Sequence, residues 1–283
     1  MAFLVLLLME VIIAAFLAGS LCGSMGVYLK RMNLLTLSFT VAHAALAGAS
    51  VGLLLDFSPE FLAFIFGLIA AIFVESIHQK IGIDRELISM GIFSLSSALA
   101  MFAIYAKPAV TLTSETASLI LWGSILAVTI SKIILLVGIA CAFTLYIFAF
   151  KMEINSILFD SKLAAAEGIN VSLHSTFLVL ITAATIAIIL RLTGGFLVFS
   201  LLFNPSMSAI RISHKRQPLL GALFGGLSAV AGVLISFSLD TPIGATISIS
   251  SSIILMFAVT YSSIREVSIK KRIQTIYAKM NSI

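Results

Sequence analysis

Residues 33–56 read NLLTLSFTVAHAALAGASVGLLLD, an apolar stretch that holds one histidine near its centre. At about 1.5 Å per residue of helix, His43 lies roughly 15 Å from Asn33. This depth is close to the midplane of a hydrocarbon layer about 30 Å thick. Ionisable side chains are rare at such depths and usually have a function there, so His43 is the first candidate for a functional residue.

The polar residues of this stretch share one face of the predicted helix. Thr36, Thr40, His43, Ala47 and Ser50 follow one another at steps of four and three residues, which places them on one side. Leucines and valines fill much of the remaining surface. The pattern predicts that this face points at other helices or at a water-filled path and not at lipid.

The composition indicates a membrane protein that crosses the bilayer several times. Of its 283 residues, 60% are hydrophobic and 10% are charged, and the mean hydropathy is +1.18. Soluble domains carry about 25% charged residues. Apolar spans recur from end to end and leave no room for a separate soluble domain. We predict a single all-α domain, residues 1–283, with about eight to nine transmembrane helices.

The net charge is +5, and the positions of the basic residues indicate how the chain is oriented in the membrane. They cluster after alternate spans, and such clusters favour the cytoplasmic side. This distribution argues against a nucleic-acid partner. It predicts a multi-pass protein of the cell (plasma or inner) membrane, with the N-terminus outside and a basic cytoplasmic tail at about 264–283. The clusters are Lys30 and Arg31; Lys80 and Arg85; Lys151 and Lys162; Arg211, Lys215 and Arg216; and the lysines and arginines from Arg265 to Lys279.

Most of the crossings can be placed from hydropathy alone. A stretch of about 34 residues that ends at Lys151 is too long for one simple crossing, so we expect a short outer helix before the crossing itself. The other predicted crossings cover about 4–29, 33–55, 59–76, 86–106, 175–192, 194–211, 218–239 and 243–263.

Local signals refine these spans. Ser58 and Thr241 are each followed by a helix with a proline at its start, which predicts two N-caps. Asn204 and Pro205 lie inside a span, where the proline favours a kink or break. One span is rich in small residues that permit close helix contact, namely Gly221, Gly225, Gly226 and Gly232.

The longest polar connection, at about 151–174, is cytoplasmic on this topology. Within it, residues 161–167 (SKLAAAE) form a run of good helix formers that Gly168 stops. Such a helix is either a docking element for a partner or an ordinary loop helix. His174, beside Ser172 and Ser175, is expected at the membrane interface.

Motifs for catalysis are absent from the sequence. It contains no GxxxxGK[ST] phosphate-binding loop, no HExxH and no CxxC, so by these signatures it neither hydrolyses ATP nor works as an enzyme.

Six segments, taken in order, resemble one family. The segments are LKRMNLLTLSFTVAHAALAG (29–48), LLLDFSP (53–59), LWGSILAVT (121–129), FDSKLAAAEGINV (159–171), GGFLVFSLLFNPSMSAIR (194–211) and LDTPIGATISI (239–249). In these segments the chain is similar to the permease subunits of ABC importers for zinc, manganese or iron, which are related to cobalamin and siderophore permeases.

The resemblance implies half of an importer. Two permease copies would pair as a homodimer, two cytoplasmic ABC ATPase subunits would dock beneath them, and an extracytoplasmic metal-binding protein would deliver the ion. No covalently bound cofactor is implied, because the divalent metal ion is the cargo. The implied coupling helix, which sits in a groove of the ATPase, consists of Asp160, Ser161, Lys162, Leu163, Ala164, Ala165, Ala166, Glu167 and Gly168.

One departure from the family pattern concerns the metal path. The family usually carries an aspartate four residues before the histidine that matches His43, and here that position holds Phe39. A single imidazole is a poor divalent site, because Zn²⁺ takes about four ligands and Mn²⁺ prefers oxygen. Three explanations remain open: the cargo is a chelated metal, another acidic group substitutes, or the protein is a divergent member with weak or lost transport.

The remaining candidates follow from these arguments. Asp56 and Asp240 are outer-face metal candidates, although each also fits a turn before a helix. Phe39 could form an apolar gate. An ion-coupled secondary transporter and a non-transporting scaffold are alternative classes. The predicted pathway or gate residues are Phe39, Thr36, Thr40, Ser50, Asn204 and Pro205.

Overall fold

The computed structural model describes residues 2–106, 129–193, 198–213 and 215–280, and over these ranges the regular structure is helical. The all-α membrane bundle predicted from the sequence is therefore confirmed. The helices are α1 Ala2–Arg31, α2 Leu35–Leu54, α3 Pro59–Ile81, α4 Arg85–Ala106, α5 Ile130–Ala149, α6 Lys151–Phe159, α7 Ser161–Ala166, α8 Val171–Thr193, α9 Val198–Ile212, α10 Gln217–Leu239 and α11 Ile243–Met280.

Eight helices in the described ranges are long and apolar enough to cross a membrane. The ninth candidate, α9, has 15 residues and a length of about 22 Å, which is short of the roughly 30 Å hydrocarbon layer. The count of eight to nine crossings thus depends on α9. The short outer helix expected before α5 lies outside the described residues.

Several helices run past the ends that hydropathy predicted. The third crossing continues from residue 76 to Ile81, and the last continues through the basic tail to Met280. Hydropathy marks where apolar side chains stop, whereas a helix stops only at a breaking residue or a cap. Residues 265–280 contain neither glycine nor proline, so α11 has no local reason to end at the membrane surface.

The two predicted N-caps have different outcomes. The Ser58 hydroxyl accepts a hydrogen bond from the Phe61 amide at 3.4 Å, with Pro59 as the first helical residue, which confirms that prediction. The prediction for Thr241 is wrong, because its buried hydroxyl has no hydrogen-bond partner among the described residues. It lies two positions before α11, where the Pro242 carbonyl accepts the Thr246 amide at 3.3 Å.

The long helices divide into two bundles by their contacts. In the first bundle, α1, α9, α10 and α11 pack against one another. In the second bundle, α2 packs extensively on α3 and α4, and α8 lies against α2 and α3. Fewer contacts join the two bundles, and α5 rests on α1 and α8.

Close approach of α1 and α10 holds the first bundle together. Gly19 lies against Gly225, and Gly23 lies against Gly221, so that a Cβ atom on any of the four would clash with the backbone of the facing helix. We call these four residues the glycine seam. The expectation that the glycines of α10 permit close packing is confirmed.

Candidate functional site

His43 is enclosed by protein. Its side chain lies in the middle of α2, and the residue is only 3% exposed. The Nδ1 atom lies 3.1 Å from the carbonyl oxygen of Phe39. Because a carbonyl can only accept, Nδ1 is assigned the proton, and in the neutral ring Nε2 then carries the lone pair with which a histidine binds a metal.

Aromatic rings surround this imidazole. The ring centroid of His43 lies 4.4 Å from that of Phe39 and 4.5 Å from that of Phe93, in edge-to-face geometry. Phe39 also contacts Phe93 at 4.7 Å and Phe199 at 4.4 Å. We call Phe39, His43, Phe93 and Phe199 the aromatic cluster. It joins the two bundles, because Phe199 belongs to α9 and the other three rings belong to α2 and α4.

The other polar residues of the α2 face also point into the protein. Thr40 and Ser50 are fully buried. The Thr40 hydroxyl lies 2.9 Å from the Ser89 carbonyl on α4 and 3.2 Å from the Thr36 carbonyl on its own helix. The Ser50 hydroxyl donates to the Leu46 carbonyl of its own helix at 2.9 Å. Thr40 thus links two helices of the second bundle, whereas Ser50 makes only a local bond.

A polar cavity of about 370 Å³ opens at the end of the molecule that carries Lys30 and Arg85. We call this the basic end. Thr36 of α2 and Ser89 of α4 belong to the cavity wall. The Ser89 hydroxyl is buried without a hydrogen-bond partner among the described residues. One helical turn further along α2 lie Thr40 and the aromatic cluster, which packs against His43.

Asn204 and Pro205 belong to the first bundle and not to the surroundings of His43. The Asn204 amide donates to the hydroxyls of Ser251 at 2.9 Å and Ser252 at 3.0 Å on α11. The helix continues through Pro205 as far as Ile212, so the proline does not break α9. The structure thus places Asn204 in a contact between α9 and α11, whereas Pro205 lies next to Gly23 of α1.

The two acidic candidates lie at or just past helix ends. Asp56 follows His43 by 13 residues, or about 20 Å along the helix axis. Asp56 and Asp240 are exposed and adopt left-handed backbone conformations, with φ of 53° and 50°, where an aspartate in a turn is tolerated. Within the described ranges, no three His, Cys, Asp or Glu side chains form a group that could hold a metal ion.

The connection between α5 and α8 contains the short helix that the sequence predicted. Helix α7 ends before Gly168, which has a φ of 88°. Asp160 caps it, because its carboxylate accepts the amides of Lys162 at 2.8 Å and Leu163 at 3.0 Å. These two bonds hold the pKa of Asp160 below its ordinary value, so the cap stays ionised at neutral pH. Beside it, Phe159 is 84% exposed.

Two buried polar contacts were missed by sequence reasoning. Glu75 accepts two hydrogen bonds from Arg85, at 2.9 and 3.0 Å, and one from Gln79, which also donates to Ser172 on α8. A carboxylate near the end of a span, ten residues before an arginine, was the signal for this pair.

The second missed contact involves His174, whose expected position at the membrane interface stays a prediction. It is 5% exposed, and its Nδ1 atom lies 2.6 Å from the Tyr146 hydroxyl of α5. The tyrosine lies on a different helix, packed against α8, and so removes the imidazole from water. This pairing joins the two helices that flank α6 and α7.

The model of the ABC 3 transport family matches residues 5–262. The chain belongs to the ABC 3 transport family. That membership agrees with a transport subunit and gives no support to an ion-coupled secondary transporter or an enzyme.

Named relatives resemble the chain over nearly their whole length. The manganese transport system membrane protein MntC of Halalkalibacterium halodurans is 27% identical over 258 residues, which cover 90% of this chain and 87% of the relative. The high-affinity zinc uptake system membrane protein ZnuB of Haemophilus influenzae is 25% identical, with coverage of 88% and 97%. A chain of PsaBC from Streptococcus pneumoniae has the same fold, with a TM-score of 0.76, 24% identity and coverage of 89% and 90%.

Proposed function

We propose that this chain is the permease subunit of an ATP-driven importer for a divalent metal ion, and that manganese or zinc is its cargo. The single observation that carries the proposal is the position of His43. This imidazole is buried in the middle of a membrane helix, where two helix bundles of a transport-family chain meet. A metal ligand at such a boundary can be exposed first to one side and then to the other as the bundles rock.

The aromatic cluster acts as the gate in this proposal. Phe39 occupies the position where the resemblance implies an aspartate, and its ring contacts Phe93 and Phe199. Opening requires the rings to separate, which exposes His43 to the polar cavity at the basic end. The ion then passes Thr40 and Thr36 on its way to the cytoplasm.

The proposal includes partners and an orientation. The basic end faces the cytoplasm, so the C-terminus is cytoplasmic as well. Two copies of the chain form a homodimer, and an extracytoplasmic protein delivers the metal. Two ABC ATPase subunits bind the segment from Asp160 to Gly168, where Leu163 and the preceding Phe159 are exposed. The relatives named as manganese and zinc transport proteins support these two ions; iron remains an expectation from the resemblance.

Replacing His43 tests the metal path. We expect His43→Ala to lower uptake of radioactive manganese or zinc by about tenfold or more, since loss of even a partner of a metal ligand costs 10–100-fold in affinity. The measurement is uptake into cells that express the ATPase and binding protein, with membrane levels determined by immunoblot. Ser38→Ala is the matched control, because Ser38 is buried on the same helix, donates to the Leu35 carbonyl of that helix and is not a pathway candidate. Normal uptake by His43→Ala would refute a path role.

Substitutions in α7 test whether the ATPase subunit binds this helix. We expect Ala164→Gly combined with Ala165→Gly to weaken co-purification with the ATPase, because each glycine costs a helix about 1 kcal/mol relative to alanine. Asp160→Ala should have the same direction, since it removes the cap of α7. The control is Ala106→Gly, at an exposed alanine that ends α4 on the side away from Arg85. Undiminished co-purification in both variants would exclude this helix as the docking site.

A chelated metal is the second candidate cargo, and Phe39 is the observation that favours it. A ligand that carries its own oxygen donors has no need of the missing aspartate. Uptake of the metal alone should then be slow and should increase when a small chelator is supplied with it. Equal uptake of the free ion would favour the first proposal.

A further inference from the structure

A second cavity lies away from His43, between α1, α5 and α6. It has a volume of about 310 Å³. Its apolar wall is formed by Phe143, Ile147 and Phe148 of α5, and its polar wall by Ser24, Tyr28, Lys151 and Asn155. Because α5 ends at Ala149, the polar wall lies where the apolar span stops. The cavity therefore spans the boundary between hydrocarbon and water at the basic end.

The polar wall consists of hydrogen-bond donors that have no partner among the described residues. Within the described ranges, Ser24, Tyr28, Lys151 and Asn155 form no side-chain hydrogen bond or ion pair. Thr144, in contrast, is satisfied by the carbonyl of Ala140 at 2.7 Å. The four side chains can all donate a hydrogen bond, and only Lys151 carries a charge. Such a wall fits a ligand that is anionic and rich in acceptor oxygens.

The apolar wall indicates that the ligand also has an apolar part. Phe148, a wall residue on the apolar span of α5, is 78% exposed, so on this side the cavity is open to the apolar surface of the helix. An inorganic anion would leave this wall uncovered. A basic pocket between membrane helices, open to the acyl region, is a recognised form of site for acidic lipids.

We propose that this cavity binds an anionic glycerophospholipid, with its phosphate on Lys151, Asn155 and Tyr28 and an acyl chain along Phe143 and Ile147. The lipid joins α1 of the first bundle to α6, the helix that leads into α7. This site is independent of the metal path and of the identity of the cargo.

The test uses the full-length purified chain and native mass spectrometry with added lipids. Phosphatidylglycerol should bind in preference to phosphatidylcholine. Lys151→Gln should weaken its binding about fivefold, the effect expected for one lysine near a lipid surface. Tyr28→Phe should weaken it by a similar factor while it keeps the ring contact with Phe143 at 5.8 Å. The control is Lys80→Gln, an exposed lysine at the same end that lies outside the cavity.

Three results would overturn the proposal. Unchanged phosphatidylglycerol binding in both cavity variants would show that the lipid binds elsewhere. An equal loss in Lys80→Gln would indicate a general attraction of acidic lipids to the basic end. Competition by inorganic phosphate or by glycerophosphoglycerol at the concentration of the lipid would show that an anion without acyl chains occupies the site.

Discussion

The glycine seam and the aromatic cluster are two helix contacts built in opposite ways. In the seam, α1 and α10 touch through backbone atoms, and Gly23 and Gly221 leave no space for even a Cβ atom. In the cluster, α2, α4 and α9 touch through side chains, with ring centroids 4.4 to 4.7 Å apart. The seam lies inside one bundle, whereas the cluster lies between the two.

The difference indicates where the molecule can move. Backbone contact at glycines cannot be re-formed at another register without a clash, so the first bundle should move as one body. Rings can change rotamers and separate without any break in a helix. A conformational change between bundles would therefore open the aromatic cluster and leave the glycine seam intact, which is the behaviour that alternating access needs.

Disruption of the seam should have the largest effect. Gly23→Leu places a side chain against the Gly221 backbone, and we expect it to cost about 3 kcal/mol or more, at the upper end for overpacked cores. The thermal unfolding of the detergent-solubilised protein would measure this loss, and much of the variant should fail to accumulate in the membrane.

Gly138→Leu is the control for this prediction, because Gly138 lies on α5 and a Cβ atom added there would have no neighbour within 4 Å. It should keep the thermal stability of the original protein. If the two variants had equal stability, the seam would not hold the first bundle together.

An acid in the aromatic cluster should have the next largest effect. Phe39→Asp removes three ring contacts and places a carboxylate one turn from His43. Without metal we expect a loss of about 2.5–3.5 kcal/mol, the insertion cost of an aspartate in mid-membrane. Added Mn²⁺ or Zn²⁺ should restore about 2.7 kcal/mol at 100 times its dissociation constant. The measurement is thermal unfolding with and without metal.

Phe39→Leu separates the two parts of this effect. It also removes the ring contacts, but it adds no ligand, so its unfolding temperature should not respond to metal. If Phe39→Asp were equally insensitive to metal, His43 would not provide a metal ligand in this environment. A response of equal size in both variants would show that the carboxylate at position 39 adds no metal ligand.

The sequence predicted the membrane spans well because a span depends on a local property, the hydropathy of about 20 consecutive residues. It also predicted α7, whose start and stop are encoded within nine residues. The same logic failed for the far end of α11, because no local feature marks the point where a continuous helix leaves the membrane. Thr241 failed as a cap because the start of α11 is set two positions later.

The aromatic cluster could not be predicted from one sequence. Phe93 and Phe199 lie in different spans from His43 and are separated from it by 50 and 156 residues. Each is a phenylalanine in an apolar helix, and the chain has 21 phenylalanines. Only the packing of the bundles selects the two that contact Phe39. The contact between Tyr146 and His174 could not be predicted for the same reason.

Removal of the hydrogen bond between Thr40 and α4 should have the smallest effect. It tests how much the packing of α2 on α4 beside the aromatic cluster depends on a polar contact. Thr40→Val is nearly isosteric and removes the bond to the Ser89 carbonyl on α4. We expect a loss of about 1 kcal/mol, measured by thermal unfolding. Thr144→Val is the matched control, since the exposed Thr144 hydroxyl bonds only to its own helix. A loss several times larger for Thr40→Val would mean that this hydrogen bond contributes more than the aromatic contacts to the packing of α2 on α4.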